Sequence, residues 1–64
     1  MQVKEIIPNL NKKVGYKDST SYTLTGSTIK KDATGKIYYT AELLDKNKNS
    51  VLIVGLEDVK CLDL

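Results

Sequence analysis

Apolar residues follow two different periods along this chain. Val3, Ile6, Ile7 and Leu10 recur at i, i+3, i+4 and i+7, one stripe of a short helix. Pro8 falls inside the stripe and cannot donate a backbone hydrogen bond there. Residues 3–10 therefore read as one or two helical turns docked on a core, with an irregular apolar arm as the alternative. After Leu10 the period shortens to two. Val14 and Tyr16 share one face of a short strand over Lys13 to Tyr16, and the polar run Lys17-Asp18-Ser19-Thr20 turns the chain. Ser21 to Lys31 is rich in β-branched and aromatic residues, with Tyr22 and Leu24 pointing inward. Gly26 interrupts that strand, as a glycine does at a bulge or sharp bend, and Ile29 resumes the apolar set.

Asp32-Ala33-Thr34-Gly35 is the clearest turn signal. Asp accepts hydrogen bonds at the start of the turn, and Gly takes the left-handed position that closes a hairpin. A long strand follows from Lys36 to Asp45. Ile37, Tyr39, Ala41 and Leu43 line one face; Tyr38, Thr40, Glu42 and Leu44 line the other. The polar members turn the second face outward. Asp45 to Ser50 forms a second hairpin loop. Val51 to Val54 is apolar without alternation, the pattern of a strand covered on both sides, by the N-terminal helix or by a partner. Gly55 to Val59 reads as a tight 3₁₀ turn and Lys60 to Leu64 as a last short strand. Residues 1–64 thus predict a single, mostly β domain: a short helix, then five antiparallel strands. Closing such a sheet into a barrel would remove its exposed edges.

That element order resembles the small SH3-like barrels, and among them the Sm-like variant that begins with a helix. Leu10, Val14, Tyr22, Leu24 and Gly26 stand where that family has its first two strands. Ile53-Val54-Gly55 followed by Val59 resembles its closing segment. The resemblance implies a five-stranded antiparallel SH3-like barrel with a short N-terminal helix. It does not carry over the family's uridine pocket. Val54-Gly55 stands in place of the basic-Gly pair, and the Asp32–Gly35 turn lacks the expected Asn. In size and composition the chain is also similar to short proteins of Gram-positive bacteria and their phages.

Composition narrows the chemistry. There is no His, no Arg and no Trp, so all ten cationic side chains are Lys. The group that titrates near neutrality and the fork that grips phosphate in two places are both missing. Cys61 is the one cysteine, so the chain holds no internal disulfide, which fits a reducing cytoplasmic setting. Met1 to Asn11 carries charge throughout, unlike a signal peptide, and no apolar run is long enough to span a membrane.

The remaining chemical signals have simpler readings. Asp45-Lys46-Asn47-Lys48-Asn49-Ser50 imitates the start of a calcium loop, but its sixth position is Ser50, its twelfth Leu56, and two Lys sit inside it. Cys61 has no His or Arg to activate it and reads as a small buried residue. Glu42, Asp45, Glu57 and Asp58 fall on loops or outward faces and read as solvated carboxylates. No catalytic residue, metal ligand or cofactor site is expected.

Two binding readings remain. The favoured one is contact with another protein or a second copy, through Tyr38, Leu44 and an outward-facing Leu52. The alternative is weak, salt-dependent nucleic-acid binding by Lys12, Lys13, Lys17, Lys30 and Lys36 in the Lys-rich half of the chain.

Overall fold

The computed structural model describes residues 1–62. A 3₁₀ turn over Val3–Glu5 runs into a single helical turn, α1, Ile6–Asn9. The strands are β1 Lys13–Tyr16, β2 Ser19–Lys31, β3 Ile37–Asp45, β4 Ser50–Gly55 and β5 Val59–Cys61, with a 3₁₀ turn at Leu56–Asp58 before β5. All pair antiparallel in one sheet of order β4-β3-β2-β1-β5. The expected final strand begins one residue earlier, at Val59, and its last two positions, Asp63 and Leu64, lie outside the described residues.

The expected barrel does not close. Among the described residues no ladder joins β4 to β5, so both remain edges. The physical reason lies in the link between them. Gly55 and the Leu56–Asp58 turn carry the chain off the β4 edge to β1, and β5 is only three residues long, too short to reach back along β4 as well.

The inner face follows from register. Leu24, Leu43 and Leu52 form a row across β2, β3 and β4, because Leu24 pairs with Leu43 and Leu43 with Leu52. Ala41 opposite Val54 adds a second row, and Val14 and Val59 continue the face onto β1 and β5. Val14, Leu24, Ala41, Leu43, Leu56 and Val59 are the buried apolar core. Leu24 and Ile29 can both face inward only if the strand gains a residue between them. It does so at a bulge between Leu24 and Gly26, after which Ser27 faces Ala41 and Ile29 faces Tyr39.

Ile6 and Leu10 lay the N-terminal segment on this inner face. Pro8 sits in the first turn of α1, where its missing N–H deprives α1 of no bond. The Asp32 turn has the expected chemistry. The Asp32 carboxylate accepts from the Thr34 amide at 2.9 Å, the Thr34 hydroxyl at 2.6 Å and the Lys36 amide at 3.0 Å, and Gly35 takes φ +88°.

Candidate functional site

The loop between β3 and β4 decides which side chains are presented together. Asp45 pairs with Ser50, so Lys46–Asn49 bridge the strands. Asp45 caps its own loop by accepting from the Asn47 and Lys48 amides at 3.1 and 3.4 Å, and Asn49 adopts φ 51° to re-enter the sheet. That closure places Leu44 opposite Val51, Leu43 opposite Leu52 and Glu42 opposite Ile53.

The expected trio is therefore divided. Tyr38 and Leu44 share the outer face of β3, toward opposite ends of the strand. Leu52 belongs to the inner face, where it packs against the core. Its place outside is taken by Val51 and Ile53, which are 54% and 59% exposed. The expectation that Val51 to Val54 is covered on both sides is corrected by the same observation. The N-terminal helix lies on the inner face and leaves the outer one open.

The outer face of the β3–β4 hairpin thus carries Tyr38, Leu44, Val51 and Ile53, with Glu42 between them. Thr25, at the bulge, donates from its hydroxyl to the Glu42 carbonyl at 3.1 Å and to Glu42 Oε1 at 2.9 Å. Beside this face runs the free edge of β4. Its six residues, Ser50 to Gly55, include no charge and no proline. Lysines, prolines and bulges are the usual guards of an edge strand, and β4 has none of them.

A second apolar surface lies on the inner side, where the β2–β3 hairpin projects past β4. Ile29 and Tyr39 face Val3, Ile6 and Ile7 across an open groove of about 350 Å³. Ile7 is 81% exposed, and Ile37 extends the apolar stretch toward the hairpin tip. The helical stripe read from the sequence is thereby split: Leu10 and Ile6 meet the core, Ile6 also reaching the groove, while Val3 and Ile7 border the groove without joining the core.

The lysines do not gather. Lys12 and Lys13 flank the Thr23–Leu24 region of β2. Lys17 stands at the β1–β2 turn, its ammonium 5.5 Å above the Tyr16 ring, and that ring meets Tyr22 edge-on at 5.8 Å. Lys30 and Lys36 lie at the far end of β2 and in the next turn. Lys17 precedes the thirteen-residue β2 and Lys30 stands next to its last residue, so the two mark opposite ends of the longest strand.

Cys61 is half buried beneath the N-terminal segment. Its thiol donates to Glu5 Oε2 at 3.2 Å, and Asn9 Nδ2 donates to the sulfur at 3.6 Å. The other Glu5 oxygen accepts from the Gln2 amide at 2.7 Å. That amide bond, then the thiol, hold the Glu5 carboxyl below its ordinary range. A thiolate here would face a carboxylate, the reverse of the cationic setting that activates a cysteine. Among the described residues, no three of His, Cys, Asp or Glu converge as metal ligands, and no helix is long and apolar enough to cross a membrane.

Compared with known protein families, with curated proteins and with solved structures, the chain gives no match.

Proposed function

We propose that this protein is a non-catalytic interaction module, acting on another protein or on a copy of itself through the outer face of β3 and β4. The carrying observation is that Val51 and Ile53 are exposed beside an unguarded strand edge. Apolar residues held outward by register, rather than by a mobile tail, form a fixed surface that gains free energy when covered. Tyr38 and Leu44 extend it along β3.

The strand order and the 3₁₀ turn between β4 and β5 support an SH3-like barrel with its seam left open at those strands. The lone thiol supports a cytoplasmic setting.

The test is a comparison of captures from host lysate by the wild-type protein and by Val51→Asp/Ile53→Asp, both verified as folded. Partners held by this face are lost from the variant and retained by a control altered at Lys12 and Lys13. Identical captures would refute the reading. The nucleic-acid alternative has dispersed lysines in its disfavour. It predicts single-strand binding that falls steeply between 50 and 200 mM salt, a loss of about 10³-fold for a protein making six phosphate contacts.

A further inference from the structure

We infer that the occupant of the β4 edge is a second copy of the same chain, paired antiparallel about a two-fold axis near Leu52. This rests on the contact-module reading above and names its partner. The argument begins with the strand itself. An isologous pair must bring β4 against β4 running the opposite way. With Leu52 on the axis, Val51 of one copy lies opposite Ile53 of the other. The outer apolar rows join across the seam, and inner-face residues meet inner-face residues. Ser50–Gly55 contributes no charge to oppose its own image.

The flanks add the second observation. The turn before β4 carries Lys46 and Lys48; the turn after it carries Glu57 and Asp58, and all four side chains are exposed. Antiparallel pairing sets the basic turn of each copy beside the acidic turn of the other, twice per dimer. Lys17 and Lys60 border the acidic turn within the same chain, while Asp58 and Glu57 also lie beside Gly55 at the end of β4. A parallel pairing of β4 would stack Lys on Lys and acid on acid, so the charge layout distinguishes the two arrangements.

Size sets the expected strength. A standard interface takes ~800 Å² from each partner, about a sixth of the 4775 Å² this chain exposes. One edge strand with its turns supplies less, which places the dimer among weak, reversible associations and calls for measurement at high protein concentration.

The experiment is sedimentation equilibrium of the purified chain from about 10 μM to about 1 mM at low salt. The expected result is a monomer–dimer equilibrium within that range. Lys46→Glu/Lys48→Glu weakens it at least tenfold, and Glu57→Lys/Asp58→Lys does the same. The chain carrying all four changes has the wild-type net charge and regains the wild-type constant, since turn still meets turn with opposite sign. Ile53→Lys abolishes the dimer in every background. All these positions are exposed, and circular dichroism confirms that each variant folds. A wild-type chain that stays monomeric at 1 mM overturns the inference, and so does a dimer indifferent to the charge changes or not restored by the fourfold swap. If the chain is monomeric yet Val51→Asp/Ile53→Asp still loses a host partner, self-pairing falls and the contact-module reading stands.

Discussion

Leu43→Ala is the sharpest test of where the stability of this domain resides. Leu43 is wholly buried in the middle of the Leu24–Leu43–Leu52 row, with a leucine on each neighbouring strand. The substitution removes three carbons. At ~0.8 kcal/mol per buried methylene, the transfer contribution is about 2.4 kcal/mol, and the cavity left between the two flanking leucines brings the cost toward 3–4 kcal/mol. A single core in a domain of this size supplies only about 3–5 kcal/mol in total. The variant is therefore left with roughly 1 kcal/mol or less, a folded-to-unfolded ratio of about five or below. Urea unfolding followed by far-UV circular dichroism reads this directly. With a slope of about 1 kcal/mol per molar, the midpoint falls by ~3 M or the folded baseline disappears. Ile53→Ala, which truncates an exposed side chain of similar size on the adjacent strand, shifts stability by about 0.5 kcal/mol or less. A Leu43→Ala midpoint within 0.5 M of wild type, or equal losses for the two variants, would refute this account of the core.

Two further predictions concern single hydrogen-bonded groups. The Thr34 hydroxyl, then the Lys36 amide, lower the Asp32 carboxyl below its ordinary value of 3.8. A carboxylate lowered in the folded state contributes stability above the unfolded value and loses it as pH falls through the folded one. The Asp32 contribution is thus present at neutral pH and disappears below pH 3.8, read by the Thr34 and Lys36 amide resonances. Asp32→Asn keeps an acceptor but removes the titration, and a midpoint at or above 3.8 would contradict the bonding described. Cys61, half buried against Glu5 and Asn9, reacts with a thiol reagent at least tenfold more slowly in the native protein than in urea. Equal rates would show that the N-terminal segment does not hold the thiol.

Much of the fold was legible because punctuation and period agreed. Asp32 and Gly35 located one hairpin, and Gly26 lay where the parity change between Leu24 and Ile29 demanded an extra residue. The outer face was harder. Along β3 the alternation of Ala41, Glu42 and Leu43 separates inside from outside. Val51-Leu52-Ile53-Val54 offers no polar residue to break the tie, so either pair could have faced the core. Only the four residues of the Lys46–Asn49 loop, with Asn49 in a left-handed conformation, fix that Leu52 and Val54 turn in. The open seam had no local signal at all, since closure depends on where the Leu56–Asp58 turn delivers β5. The helical stripe was correct in its spacing but four residues wide, and a single turn has room to bury only half of it.

The two edges of the sheet are treated oppositely, and the difference bears on which assembly the chain can form. β5 has three residues, carries Lys60 in its middle, and has Cys61 tied to Glu5 and Asn9 of the N-terminal segment. Those are the devices that blunt an edge. β4 is twice as long and has none of them. An unguarded apolar edge on a marginally stable domain invites stacking of many copies in register, the arrangement of fibrils. Here such stacking would align Lys46 and Lys48 with their own images, and likewise Glu57 and Asp58, at every step. Two-fold pairing would remove that repulsion, and it would also consume the one unguarded edge among the described residues of each copy. What remains outward at both ends of the joined sheet is β5, short and lysine-bearing. In the proposed pair the charges flanking β4 would therefore do what closure does for a barrel: let the edge be covered once and then stop.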